Sequence, residues 1–201
     1  MTKTRLTGAI AALVLASASA VSLAQAPKSP AAASAPAATG APAAGAAGPH
    51  KPAAELDQMK WLEGTWRCDG KAPAGSMGPE HAYKSTMKVK RDLDGFWYVG
   101  EYEQKKSKDN PLAVKARSYI GFDPVAKKVV SLGVDSFGGA LQLTGTLEGD
   151  KISNEGEGTM GGQKMGFKEV FTRTGDKSLT WHGELKMGKE WTVIGDDTCK
   201  R

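Results

Sequence analysis

From Thr65 to Cys199 the sequence divides into short runs, each closed by Gly, Asp or Pro, with no interval long enough for a crossover helix. This constrains the fold more than any other feature. Parallel strands need a connection of about a dozen residues or more, usually helical, so strands in close series must pair antiparallel. The expected strands are 65–72, 81–91, 96–104, 113–122, 128–137, 140–147, 152–160, 163–173, 178–186 and 189–199. The second shows the period most clearly. His81, Tyr83, Ser85, Met87 and Val89 share one face, while Lys84, Thr86, Lys88 and Lys90 share the other. A period of 2 marks a half-buried antiparallel strand. The turns carry Asp-Gly, Gly-Gly, Asp-Pro and Gly-Asp because these residues reach the φ values that tight turns require.

About ten strands in one open sheet would leave two edges exposed, and closure into a barrel removes them. The expected fold is therefore all-β, a ten-stranded antiparallel meander closed into a lipocalin-like or fatty-acid-binding-protein-like barrel. Only 53–62 has helical character, giving one short N-terminal helix. A two-sheet sandwich is the alternative. A barrel of this size leaves room for a small internal ligand, so interior binding is the default functional expectation.

The first 54 residues have a different composition. Lys3 and Arg5 precede an apolar run over residues 6–20, which has the form of a signal peptide. Small residues place cleavage after Ala20 or Ala24, and Ala24 is preferred. No Cys follows the apolar run, which argues against a lipoprotein. Residues 25–54 hold six of the ten prolines and no large apolar side chain, so they cannot offset the entropy of folding. The expected organisation is a signal peptide at 1–24, a disordered Ala/Pro-rich linker at 25–54 and the barrel at 55–201. The mature protein is then periplasmic or extracellular, with no transmembrane segment after cleavage.

Export bears on the two cysteines, Cys68 and Cys199. In an oxidising compartment an even pair reads as a disulfide, and closure of the barrel would bring the first and last strands together. Two free thiols are the alternative. Export and charge balance also bear on partners. All acids lie after residue 50, and the net charge of +5 falls to +3 once Lys3 and Arg5 are removed. That weak basicity does not support nucleic-acid binding.

Candidate chemistry is sparse. His50, His81 and His182 form no metal-ligand motif, so no metal site and no cofactor are expected. Gly156-x-Gly158-x-x-Gly161 matches a dinucleotide fingerprint formally, but it leads from strand to strand and lacks the helix N-terminus that holds a pyrophosphate. No catalytic residue is assigned. Paired glutamates such as Glu101 with Glu103 and Glu155 with Glu157 recur at period 2, as on a solvated face. Aromatic residues within strands suit a pocket for an apolar or amphipathic ligand. The candidate interior residues are Tyr83, Met87, Tyr98, Tyr102, Arg117, Tyr119, Phe167 and Trp181, with Arg117 able to pair with a ligand carboxylate. The alternatives are an envelope structural or interaction module with a filled barrel, and a haem-binding or enzymatic barrel.

The run WLEGTW at 61–66 resembles the L-x-G-x-W opening of lipocalin-like proteins. DLDGFWYVGEY at 92–102, GFDP at 121–124 and the later glycine-rich hairpins resemble the bacterial family called domain of unknown function 1579. The resemblance implies a calycin-type barrel whose Trp66 closes the base beneath a short helix. It implies no catalytic residues.

Overall fold

The computed structural model describes residues 51–75, 78–108, 110 and 112–201. The expected signal peptide, most of the linker and His50 lie outside them. Ten strands form one closed antiparallel barrel in which each strand pairs with its sequence neighbours and β1 pairs with β10. They are β1 Gly64–Ala72, β2 His81–Asp92, β3 Trp97–Gln104, β4 Val114–Asp123 and β5 Lys128–Asp135, then β6 Ala140–Glu148, β7 Lys151–Met160, β8 Gln163–Gly175, β9 Ser178–Met187 and β10 Glu190–Lys200. No helix among the described residues is long and apolar enough to cross a membrane.

The hairpins follow from local turn chemistry. Between β7 and β8 the whole turn is Gly161-Gly162, with φ of +57° and +79°. Two consecutive positive φ values make a type I′ turn, whose twist matches that of the flanking strands. The formal dinucleotide motif thus ends in a β-hairpin.

A short helix α1, Glu55–Gln58, and a 3-10 turn, Lys60–Leu62, cover one end of the barrel. Leu56, Met59 and Leu62 turn inward and meet Trp66, Val89, Tyr98, Ile120, Val129, Ile152, Phe171 and Leu179 in one apolar cluster. Ala53 packs against the same cluster. Trp66 is 1% exposed and its indole N–H donates to the Leu62 carbonyl at 2.8 Å. The Tyr98 hydroxyl donates to the Leu56 carbonyl at 2.8 Å. These two bonds tie the cap to β1 and β3 and satisfy polar atoms that burial would otherwise penalise. Burial pushes the Tyr98 hydroxyl up to about 12.

Cys68 and Cys199 face each other across the β1–β10 seam, with their sulfurs at disulfide distance. The bridge spans 131 residues of sequence and joins the strands whose pairing closes the barrel.

Candidate functional site

Strand alternation decides which side chains enter the barrel. On β8 the inward face carries Met165, Phe167, Glu169 and Phe171, as shown by Phe171 in the apolar cluster and Glu169 bonded to β7. On β9 Leu179 and Trp181 point inward, and on β7 Ile152 and Asn154 do. A bulge between Val193 and Gly195 shifts the register of β10 against β9. Such an extra residue changes which side chains face the interior beyond it. Past this bulge Gly195, Asp197 and Cys199 alternate inward, and all three are buried.

Above the apolar base these strands assemble a polar ring. Asn154 Nδ2 donates to Ser131 Oγ at 3.1 Å and to Glu169 Oε1 at 3.1 Å. Trp181 Nε1 donates to Glu169 Oε2 at 3.4 Å. The ring continues over Gly195, where a Cβ would stand 2.6 Å from the Tyr83 hydroxyl and 3.3 Å from the Trp181 ring. A Cβ on Gly70 would collide with both the Tyr83 ring and the Asp197 carboxylate. Glycine is needed at both positions because Tyr83 crosses the backbones of β1 and β10 there. Tyr102 completes the ring, its hydroxyl donating to Gln104 Oε1 at 2.9 Å near Ser85.

Two carboxylates therefore stand in the interior. Burial raises the pKa of Glu169, opposed by hydrogen bonds from Asn154 and Trp181. Burial also raises that of Asp197, opposed by Tyr83 and reinforced by Asp196. Tyr83 and Tyr102 are likewise shifted upward by burial, Tyr83 further by its neighbour Asp197. Ser85 Oγ, Asn154 Oδ1 and Asp197 Oδ1 are buried with no hydrogen-bond partner among the described residues. Phe167, Glu169 and Trp181 face inward and are neither fully buried nor exposed.

The structure divides the eight expected interior residues into three groups. Tyr83, Tyr102 and Phe167 line the upper interior, and Trp181 reaches from it to the apolar cluster. Met87 and Tyr98 lie lower, Tyr98 within the apolar base and Met87 packed against it. Arg117 and Tyr119 are a correction. They alternate with Ile120, which belongs to the core, and so lie on the outer face. Arg117 bonds Glu101 of β3 at 2.6 Å there and is not available to an interior ligand. The error has a simple origin: a strand with arginine on one face and Ala116, Ser118 and Ile120 on the other reads equally well until its neighbours are known.

Sequence reasoning misses Glu169, Asp197, Asn154, Ser131 and Ser85 as a set. A signal is present, since Glu169 shares its face with Met165, Phe167 and Phe171, and Asn154 shares its face with Ile152. A carboxylate on an otherwise apolar strand face stands out against solvated pairs such as Glu155 and Glu157, both of which are exposed.

Other groups are placed outside this interior. His182 lies on the wall, with Nδ1 2.6 Å from Asp196 and Nε2 3.2 Å from Glu184. Trp191 also lies outside, with Lys168 Nζ 4.0 Å above its ring. An open cleft at the base is rimmed by Lys60, Arg91, Arg173 and Arg201. Arg91 is paired with Asp57, Arg173 with Asp150 and Asp176, and Arg201 with the Glu63 carbonyl. Those arginines are already engaged, so the cleft makes the weaker site. Asp197 lies close to both sulfurs of Cys68 and Cys199, but cysteines joined to each other offer no thiolate to a metal.

A search of curated proteins returns no match. Among solved structures the fold is similar to that of Rv2717c from M. tuberculosis, with a TM-score of 0.60 and 14% identity, over 75% of this chain and 99% of that one. At that identity the likeness speaks for the fold alone. Residues 51–197 match the family described as protein of unknown function (DUF1579), and the chain belongs to that family.

Proposed function

We propose that this protein is an exported, non-catalytic barrel that binds a small amphipathic molecule in the upper interior. The observation that carries the reading is the interior itself: inward side chains that are only half-buried, beside buried polar atoms with no protein partner among the described residues. A buried polar atom without a partner costs about 1–3 kcal/mol, so a barrel made only for stability would fill those positions with apolar groups. The faces of Phe167 and Trp181 suit the apolar part of a ligand, and the ring from Ser131 to Asp197 suits its head. A filled structural barrel has no use for that ring.

The non-catalytic part of this reading is supported by the placement of the serines and histidines. Ser85 and Ser131 are inside, whereas His182 is on the outer wall and His81 engages the Pro79 carbonyl at 2.9 Å. Neither serine is paired with a histidine that could activate it. Export rests on the charged and apolar start of the chain, and the cysteine pair fits an oxidising compartment.

Native mass spectrometry of the protein released from its own periplasm tests the reading, together with an absorbance scan. A retained small molecule that leaves on denaturation is the expected result. A Soret band would favour the haem-binding alternative. A crystal structure with side chains closing over Glu169 would overturn the binding function.

A further inference from the structure

We infer that the head group received in the interior is a small organic cation carrying N–H donors, such as an alkylammonium, held between Glu169 and Asp197 among Tyr83, Tyr102 and Trp181. This inference rests on the proposed interior binding and adds the chemical class of the ligand.

Charge is the first indication. Glu169 and Asp197 both reach the interior, and no lysine or arginine among the described residues stands there to pair with them. Arg117 is turned outward onto Glu101, and Arg173 sits at the base rim with Asp150 and Asp176. Buried carboxylates are ordinarily paired or neutralised. A cationic ligand would be the missing counter-charge.

Hydrogen-bond polarity points the same way. Asp197 is 5% exposed, Asn154 is 3% and Ser85 is 6%, and Asn154 Oδ1 and Asp197 Oδ1 have no close partner among the described residues, with the Tyr83 hydroxyl the neighbour of Asp197 and Tyr102 that of Ser85. Asp197 Oδ1 and Asn154 Oδ1 are acceptors, and a serine hydroxyl can accept as well. The vacant capacity of the ring is therefore for donors. An ammonium brings three, an alcohol one and a carboxylate none. Both oxygens of Glu169 already accept N–H donors, from Asn154 and Trp181, an arrangement that fits its ionised form.

The aromatic wall adds to both. Tyr83, Tyr102 and Trp181 stand around this part of the interior, and aromatic rings attract a desolvated cation. Burial alone favours protonation of both carboxylates. A bound cation would reverse that preference, so the site and its ligand are electrostatically coupled.

The test uses three ligands of one chain length, n-hexylamine, 1-hexanol and hexanoate, titrated at pH 7 into the mature protein and followed by calorimetry. Saturable binding of the amine at least about tenfold tighter than the alcohol, with none of the acid, is expected. Glu169→Gln and Asp197→Asn should each weaken the amine at least about tenfold and weaken the alcohol much less. A thermal melt of each variant confirms that it is folded. Equal or tighter binding of hexanol or hexanoate would overturn the cationic class while leaving interior binding in place. If none of the three saturates, the inference fails. If native mass spectrometry also finds no bound molecule, the proposed function falls with it.

Discussion

The two halves of the barrel interior are built on opposite rules. Under the helical cap, Trp66, Val129, Ile152 and Leu179 are at most 1% exposed, and the Trp66 indole and the Tyr98 hydroxyl have partners in the cap, while the buried Trp61 indole N–H has none among the described residues. A few residues further along the same strands stand Asp197, Asn154 and Glu169, whose hydrogen bonding is incomplete or whose charge is uncompensated. The base is close-packed in the way that stabilises small domains. The upper half combines fully buried apolar side chains, Leu143 and Leu185, with these incompletely satisfied polar groups. The apolar base and the polar ring are thereby separated along the barrel axis, and the contrast can be attacked from either side.

The largest effect is expected at the base. Trp66→Ala should cost about 3–5 kcal/mol, since it removes a fully buried ring and leaves the Leu62 carbonyl without its donor. Phe167→Ala, in the upper region, should cost less than half as much. Urea unfolding of the two variants measures the gap, and equal losses would erase the distinction between the halves. Replacing Cys68 and Cys199 together by alanine comes next. The bridge joins cysteines 131 positions apart, and its loss should cost about 2–5 kcal/mol, read as a fall in the denaturant midpoint that reduction of the wild type reproduces. A smaller loss, about 1 kcal/mol, is expected for Tyr98→Phe, which removes one buried hydrogen bond to the cap and almost no volume.

Glu169→Gln should act in the opposite direction in the unliganded protein. Glu169 has its pKa raised from 4.5 in the folded state, so the fold binds its proton more tightly than the unfolded chain does. Its favourable contribution is complete below pH 4.5 and is lost as pH rises through the folded value. The glutamine variant lacks that loss. Its stability should therefore gain on the wild type as pH is raised from 4.5 toward neutrality, in melts run across that range. A variant that instead loses stability at neutral pH would mean that the carboxylate is a structural element of the barrel. The smallest effect belongs to the outer wall. His182 gains from Asp196 and then from Glu184, which raise its pKa, and that contribution fades as pH climbs above 6.5 and through the folded value. The group is well exposed, so His182→Gln should change stability by no more than about 0.5 kcal/mol at any pH.

Much of the architecture is legible in the order of residues alone. The expected strand 163–173 lies within β8 Gln163–Gly175, and 81–91 lies within β2 His81–Asp92. Both are set by alternation and turn residues, which act over a few positions. The strand expected over 128–137 stops at Asp135, because the Asp135 carboxylate accepts from the Phe137 and Gly139 amides and caps the turn. The site is less legible. Tyr83, Tyr102, Phe167 and Trp181 are recognisable as aromatics on strands. Arg117 reads as an interior residue only because its face cannot be oriented without β3 and β5 beside it.

The sequence by itself determined that this chain forms antiparallel hairpins, that their number calls for closure, and that Cys68 and Cys199 lie near the two ends of the meander. These follow from local backbone preferences and from a period of 2, which any short segment carries. Only the tertiary structure decided which face of each strand looks inward. It also decided that the bulge before Gly195 lets Asp197 alternate inward with Cys199, and that Glu169 and Asp197 share an interior with no lysine or arginine among the described residues. Charge and hydrogen-bond balance are sums over neighbours brought together by closure, and neighbours many strands apart leave no mark on the spacing of residues along the chain.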